Sequence, residues 1–274
     1  MTTNVRRTER EGVLTLVFTR DAKLNAIDPA MIDELRTAVA DMTARDDLRV
    51  LLITAEGRYF TAGIDIGSLN PDPGRTATGE VSGIKTRAFL RHLHLLLDSL
   101  ESLEKPVVLA AQGPCLGLGL EMAVSCDFRF AAERTTFSLP EIPQMGVIAG
   151  SGGISRLTRL VGPHWGRWLA LASQSVDARQ AQQIGLVHQV FPSDVFAERV
   201  QEFAAGLTKL SAEAMGLAKL AIDAAASADR TTARDFDRIA NTLLLHAEKN
   251  RSLVQRYRRR NIGDSAASDP KSGE

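Results

Sequence analysis

The feature that most constrains the fold is a nearly continuous apolar run, LRVLLITAEG (48–57), which a glycine ends. A strand that is apolar on both faces must be covered on both faces, as in a parallel sheet between layers of helices. Upstream, GVLTLVFTR (12–20) alternates and is rich in β-branched residues, which predicts another strand. Between them, Asp28 stands before a proline as at a helix start, and apolar residues recur at helical spacing to about Ala44. The order strand, helix, strand predicts an α/β fold.

The same order continues further along the chain. The predicted elements are a helix over 84–103, a strand over 105–113, a short helix over 121–126, a strand in DFRFAAE (127–133), a helix over 177–184 that Asp177 caps, and a strand over 186–191. Residues 67–83 contain four glycines and two prolines, which predicts a loop. Loops of this length in folded domains are usually functional or disordered, so this one is interpreted as a lid.

The last third of the chain shows only helical periodicity. Its predicted helices cover 194–207, 211–227 and 232–259. Residues 261–274 are small and polar, which is typical of a disordered tail. We therefore expect an α/β core with the active site at 1–193, a C-terminal helical segment at 194–260 and the tail.

Composition excludes several classes of function. Lys and Arg together number 33, as do Asp and Glu, so no global charge steers the chain to nucleic acid or to an acidic membrane. No apolar stretch is long enough to span a membrane, and the N-terminus has no apolar signal region. Cys115 and Cys126 lack the spacing of a zinc or redox site and are expected to be buried, reduced thiols. We expect a cytoplasmic protein with a small-molecule ligand, no nucleic acid partner and no membrane partner.

Two glycine-containing turns are candidates for binding an oxygen atom. FTAGIDI (60–66) follows a predicted strand, and CLGLGLE (115–121) precedes a predicted short helix. Gly63 and Gly117 allow a backbone N–H to approach a ligand closely, and a helix N-terminus adds a positive dipole. Two such N–H groups on one oxygen form an oxyanion hole. The alternative is that both turns serve packing only, and GSGG (150–153) is interpreted as a turn into the next helix.

Two glutamates flank the second turn in sequence. Glu121 lies in an otherwise apolar short helix, and Glu141 follows Pro140 between apolar neighbours. A buried carboxylate without a partner is costly, so such positions favour a function. Pairing with an arginine or capping a helix is the alternative for either one. The histidines have no partners at metal-ligand spacing, so they are interpreted as surface or packing residues and no metal site is expected.

Five motifs in order resemble those of the crotonase, or enoyl-CoA hydratase/isomerase, superfamily over about residues 12–192. They are KLNAI (23–27), FTAGIDI (60–66), KPVVLAAQGPCLGLGLEMAVSCD (105–127), FSLPEIPQMGVIAGSGGISRLTRLVG (137–162) and DARQAQQIGLV (177–187). The resemblance implies a spiral of repeated ββα units, a C-terminal helical segment used in trimerisation, and a homotrimer or a dimer of trimers.

The resemblance also implies a substrate and a mechanism. The substrate is an acyl-CoA thioester, whose coenzyme A replaces any separate cofactor, and the reaction hydrates a 2-enoyl-CoA. The oxyanion-hole donors fall on the N–H groups of Ile64 and Leu118. Glu121 is expected to position and deprotonate water, and Glu141 to protonate C2. The residues expected to contact substrate or coenzyme A are Lys23, Ala62, Gly63, Ile64, Asp65, Ile66 and Gly117.

Three positions depart from the family pattern. Gly67 stands where a lysine often reaches the coenzyme A phosphates, which leaves Lys23 or the RYRRR cluster (256–260) as candidates, although that cluster is equally a solvated helix face. Leu118 replaces a glycine. The segment from Glu141 to Gly146 is one residue longer than expected, which would displace Glu141.

Rival functions remain open at this point. An enoyl-CoA isomerase moves a double bond and needs only one acid. A non-catalytic acyl-CoA sensor or an RNA binder is a further alternative, although zero net charge and 5% aromatic residues disfavour RNA.

Overall fold

A computed structural model of the chain describes residues 4–68 and 82–262, and divides into two units with the boundary after Ala212. The strands are β1 (Val5–Arg10), β2 (Val13–Phe18), β3 (Val50–Ala55), β4 (Val107–Ala111), β5 (Cys115–Leu116), β6 (Phe128–Ala132), β7 (Thr136–Ser138), β8 (Val176–Asp177) and β9 (Gln189–Phe191). The α-helices are α1 (Pro29–Ala44), α2 (Gly83–Ser102), α3 (Leu118–Ala123), α4 (Glu141–Met145), α5 (Gly153–Gly166), α6 (Ala178–Gln183), α7 (Phe196–Leu207), α8 (Ala212–Ser227), α9 (Arg230–His246) and α10 (Glu248–Ile262). A 3-10 turn at Asp21–Lys23 and a π-helical turn at Arg167–Leu171 complete the regular structure of this part of the chain.

The first unit is built on a sheet with the strand order β1-β2-β3-β4-β6-β9. Strands β2, β3, β4, β6 and β9 run parallel, and β1 pairs antiparallel with β2. A smaller sheet has the order β5-β7-β8. The apolar run at 48–57 lies in the middle of the larger sheet, which confirms the predicted α/β fold.

Both faces of β3 are buried, as the sequence predicted. Leu51 and Ile53 pack into one hydrophobic cluster with residues of α1 and α2. Val50 and Leu52 pack into a second cluster on the other face, which includes Phe196 of α7. Helix α7 therefore covers the sheet within the first unit, although it was expected to belong to the C-terminal helical segment. The predicted boundaries at 193 and 260 stay predictions.

Several predicted elements are confirmed, some observed elements were not predicted, and one predicted helix differs. Asp28 caps α1, and its Oδ1 accepts a hydrogen bond from the Met31 N–H at 2.9 Å. Strand β1 was not predicted because its sequence, VRRTER, is polar, and it pairs with β2 through a tight turn at Glu11 and Gly12, both with positive φ. The predicted helix over 232–259 is wrong: it breaks at Ala247, whose ψ of 130° is extended.

The predicted lid and the predicted tail lie mostly outside the described residues, and the first two residues of the predicted tail, 261 and 262, belong to α10. Of the loop at 67–83, residues 69–81 are outside, and so is the tail from residue 263 onward. Within the described ranges, no helix is both long and apolar enough to cross a membrane.

The side chain of Asn25 fastens the turn that follows β3. It is fully buried, and it accepts a hydrogen bond from the Arg20 N–H at 2.7 Å. Its amide donates to the carbonyl oxygens of Glu56 and Tyr59, both at 2.8 Å. The adjoining backbone then pairs with the first glycine turn, because the Ile27 N–H donates to the Gly63 carbonyl at 2.8 Å and the Asp65 N–H to the Ile27 carbonyl at 2.9 Å. Asn25 thus fixes the position of residues 62–65.

We expect Asn25→Ala to lower the free energy of unfolding by about 2–4 kcal/mol, because it removes three hydrogen bonds made by a fully buried side chain and leaves the Glu56 carbonyl and the Arg20 N–H without that partner. The Tyr59 carbonyl keeps the Gln112 amide as a donor at 3.0 Å. Urea unfolding followed by circular dichroism measures the change. Asn25→Gly, which suits the positive φ of 53° at this position, separates lost hydrogen bonds from backbone strain and should lose nearly as much. Thr37→Ala on the exposed side of α1 is the surface control. A loss for Asn25→Ala no larger than that of the control would contradict this account.

Candidate active site

Glu121 is held at the start of α5 by two backbone donors. Its Oε2 accepts hydrogen bonds from the N–H groups of Ser151 at 2.8 Å and Gly153 at 2.9 Å. The side chain is buried, with 3% of the residue exposed. A Cβ on Gly153 would lie 2.3 Å from Glu121 Cγ, so only glycine fits there. The segment GSGG is thus a turn into a helix, as predicted, and it also supplies the partners of Glu121.

Glu141 begins the short helix α4 and lies against the second glycine turn. A Cβ on Gly117 would lie 2.9 Å from Glu141 Oε1, so glycine at this position makes room for the carboxyl group. The residue is 8% exposed, and within the described part of the chain its Oε2 is buried without a hydrogen-bond partner. The segment that was expected to be one residue too long forms α4, which ends at Met145 and is capped by Gly146 with a φ of 66°. Glu141 therefore stays beside Gly117.

The environments of the two carboxyl groups differ. Burial raises the pKa of Glu121, while the hydrogen bonds from Gly153 and Ser151 oppose that rise. Burial also raises the pKa of Glu141, and the charge of Glu121 raises it further. Two carboxyl groups that sense each other while buried do not both ionise easily. The two backbone donors favour the charged form of Glu121, and the buried Oε2 of Glu141, which has no partner among the described residues, favours its protonated form.

The two glycine turns lie side by side. The Thr61 N–H donates to the Pro114 carbonyl at 3.2 Å, and the Leu116 N–H donates to the Thr61 carbonyl at 3.0 Å. A Cβ on Gly63, whose φ is 95°, would lie 3.1 Å from the Leu116 oxygen and 3.5 Å from the Leu118 nitrogen. The two turns approach too closely for a side chain at Gly63.

The N–H groups of Ile64 and Leu118 lie at this contact. Ile64 follows Gly63, and Leu118 is the first residue of α3, where a helix N–H has no intrahelical acceptor. Among the described residues, neither N–H donates to a backbone carbonyl. Both groups are therefore available for an external oxygen.

The other predicted binding residues differ in their surroundings. Lys23 is exposed on the 3-10 turn, Ala62 is half-buried, and Ile66 is 57% exposed. Asp65 has partners within the chain: its Oδ2 lies 2.6 Å from Arg20 Nη1, and its Oδ1 accepts the Gly67 N–H at 3.1 Å. The guanidinium of Arg20 lowers the pKa of Asp65. Asp65 therefore braces the first glycine turn.

Sequence reasoning did not find the partners of Glu121. The glycines at 150–153 indicated a turn, but nothing in the sequence indicated which side chain it would meet. Cys115 and Cys126 are buried and form no disulfide, as predicted. Within the described ranges, no three His, Cys, Asp or Glu side chains come together as metal ligands.

The fold and the paired carboxyl groups beside two free N–H groups define an acid–base enzyme. The family model "Enoyl-CoA hydratase/isomerase" matches residues 8–261, and the chain belongs to this family. Over 213 residues it is 33% identical to 2,3-dehydroadipyl-CoA hydratase from Escherichia coli K12, covering 78% of this chain and 79% of the relative. Over 261 residues it is 30% identical to the enoyl-CoA isomerase/hydratase fer4 of Mycosarcoma maydis, covering 92% of each.

A solved structure supports the same fold. The enoyl-CoA hydratase from Bacillus anthracis is similar with a TM-score of 0.84 and 26% identity, covering 94% of this chain and 96% of the other. The predicted crotonase-like α/β fold is therefore confirmed.

We expect Glu141→Gln to stabilise the protein at neutral pH. The folded-state pKa of Glu141 is raised, so its contribution to stability is present below the ordinary glutamate pKa and is lost as the pH rises through the folded-state value. Glutamine cannot ionise and escapes that loss. The free energy of unfolding of the variant should match the wild type in acid and exceed it at neutral pH, by about 0.5–2 kcal/mol.

Urea unfolding at a series of pH values measures this difference. Glu104→Gln, at an exposed position, is the matched control and should follow the wild type throughout. A Glu141→Gln curve parallel to the wild-type curve at all pH values would contradict the inferred environment.

Proposed function

We propose that the chain is an enoyl-CoA hydratase in which Glu121 and Glu141 add water across the 2,3 double bond of a 2-enoyl-CoA thioester to give a 3-hydroxyacyl-CoA. One observation carries the proposal: two buried carboxyl groups with different partners lie beside two glycine turns with free N–H groups. Family membership supplies the class of substrate.

The N–H groups of Ile64 and Leu118 are proposed to bind the thioester carbonyl oxygen. As water attacks C3, the electron pair of the double bond moves toward C2 and the carbonyl, and negative charge develops on that oxygen. Donors placed there in advance stabilise this charge, and each is worth about 2.7–4 kcal/mol in other enzymes. The closeness of Gly63 to the Leu118 nitrogen supports two donors on one oxygen.

Glu121 is proposed to be the base and Glu141 the acid. The Glu121 carboxylate takes a proton from water while the water oxygen bonds to C3, and the Glu141 carboxyl delivers its proton to C2. After turnover Glu121 is protonated and Glu141 ionised, and a proton returns between them through solvent. The two N–H donors on Glu121 support its charged form, and the unpartnered Oε2 of Glu141 supports its protonated form. The pair titrates as a unit.

Coenzyme A is proposed to be part of the substrate, so the reaction as proposed uses no separate cofactor and no metal. Ala62, Gly63, Ile64, Asp65, Ile66 and Gly117 are proposed to line its path, with Asp65 acting through the shape of the turn. Lys23 is exposed and is proposed to meet the phosphates. The basic cluster at 256–260 is the alternative, and Arg256, Arg258 and Arg259 are exposed.

A homotrimer or a dimer of trimers is proposed as the assembly. In the second unit, Ile222, Ile239 and Leu243 are each more than half exposed, and a protein chain rarely leaves such apolar surface uncovered. A cytoplasmic location is proposed, consistent with two buried cysteines that form no disulfide. The zero net charge supports the absence of nucleic acid and acidic membrane among its partners.

We expect the wild type to hydrate crotonyl-CoA, measured as loss of the conjugated enone absorbance. Glu121→Gln and Glu141→Gln should each lower kcat by about 10²–10⁴, the range for losing an acid or base, while binding of an acyl-CoA measured by calorimetry stays within a few fold. Glu104→Gln should retain wild-type activity. Normal turnover by either active-site variant would show that the assigned roles are wrong.

An enoyl-CoA isomerase is the second candidate, because the similar fungal relative is named an isomerase/hydratase. The same enzyme preparation distinguishes the two reactions. Conversion of a 3-enoyl-CoA to the conjugated isomer, together with no loss of absorbance from crotonyl-CoA, would replace the hydratase proposal with isomerisation.

A further inference from the structure

His94 binds the turn that holds Glu121. The ring lies on α2, and its Nε2 is 2.6 Å from the Gly150 carbonyl oxygen. A carbonyl oxygen only accepts, so the Nε2 atom carries the hydrogen. The sequence predicts that the histidines are surface or packing residues, whereas this contact gives His94 a specific partner.

The Gly150 carbonyl and the Ser151 N–H belong to one peptide group. On one side this group accepts a hydrogen bond from His94, and on the other it donates to Glu121 Oε2 at 2.8 Å. Hydrogen bonds in series polarise one another, so a donor on the carbonyl strengthens the N–H as a donor. One planar peptide therefore joins the imidazole to the carboxylate.

We propose that His94 is a positioning residue for Glu121, acting through the peptide group that joins Gly150 to Ser151. This role for His94 rests on the proposed function of Glu121 as the base. In this arrangement His94 sets both where the Ser151 N–H points and how strongly it stabilises the charged carboxylate. His94 itself does not touch the substrate.

Arg156 holds the same turn independently of His94. Its Nη1 donates to the Ser151 carbonyl at 3.3 Å, and its guanidinium is bound to Glu101 at 2.7 Å and to Asp98. The Gly153 N–H also remains on Glu121. Replacing His94 should therefore weaken one link without dismantling the turn, which makes the proposal testable.

The charged groups around His94 come from three elements. Helix α2 contributes Arg87, Arg91 and Asp98, which line a cleft of about 450 Å³ with His94 and Gly150. Helix α5 contributes Arg156. Gly152 lies between Arg156 and His94, because a Cβ placed on it would be 2.5 Å from Arg156 Nη1 and 3.8 Å from His94 Nδ1. Glu121 faces the turn from α3. Burial raises the pKa of Glu121, and His94 and Arg156 act against that rise.

His94→Phe and His94→Gln separate a donor from a packing residue. Phenylalanine keeps a ring of similar size without the N–H, whereas the amide nitrogen of glutamine reaches about as far as Nε2 and donates. His92→Phe is the matched control, since His92 is exposed two residues earlier on the same helix. Circular dichroism and thermal unfolding check that each variant folds.

We expect His94→Phe to lower kcat for crotonyl-CoA about fivefold to tenfold near neutral pH, the equivalent of one lost hydrogen bond, with KM nearly unchanged. The acidic limb of the kcat/KM profile should move to higher pH, because the Glu121 carboxylate has lost stabilisation. His94→Gln should recover most of the activity and the acidic limb, and His92→Phe should match the wild type. Equal impairment of the Phe and Gln variants, or a wild-type acidic limb in His94→Phe, would overturn the proposal.

An infrared titration separates this inference from the proposed reaction. The carboxyl band of Glu121 is assigned by its loss in Glu121→Gln and needs no turnover. If the titration midpoint of this band moves to higher pH in His94→Phe but not in His92→Phe, the positioning role of His94 is supported. This holds even if no hydration is found, and in that case only the proposed function is wrong. An unmoved midpoint in an active hydratase overturns the link and leaves the function standing.

Discussion

The burial of two carboxyl groups close to each other is the constraint on which the rest of the site depends. A buried carboxyl group is tolerated when hydrogen bonds stabilise its charge or when it is protonated. In this chain Glu121 has the hydrogen bonds, and the surroundings of Glu141 favour the proton. Glu121 receives two backbone N–H groups from the start of α5. Glu141 has a buried oxygen without a partner in the described part of the chain, and its pKa is raised. Because the two glutamates have different surroundings, one is suited to accept a proton and the other to donate one.

Glycines make this arrangement possible by removing side chains at the closest approaches. Gly153 admits the Glu121 stem, Gly117 admits the Glu141 carboxyl group, and Gly63 lets one turn lie against the other. A methyl group at any of these positions would overlap a neighbouring atom or force it to move. The turns are in turn fixed from outside, by Asn25 on the first and by His94 and Arg156 on the helix start. The site is therefore held by backbone groups whose positions are set by buried or half-buried polar side chains.

Much of the fold follows from local patterns. The apolar run at 48–57 required a doubly covered strand, and Asp28 before a proline marked the start of α1. The failures have physical reasons. Strand β1 is a polar edge strand held by its pairing with β2 rather than by burial, and the break at Ala247 has no glycine or proline to signal it. The grouping of α7 with the later helices reflected its sequence position, whereas its apolar face packs on the sheet.

The sequence by itself determined the period of each segment, the places where glycines make turns, and the motifs that indicated the family. Those properties depend on neighbours along the chain. Tertiary structure alone decided which groups meet. It brings the turn at 150–153 to Glu121, places His94 in a hydrogen bond with that turn, and pairs Arg20 with Asp65. These contacts join residues 30 to 56 positions apart. Their geometry depends on how helices and strands pack, which no local pattern specifies.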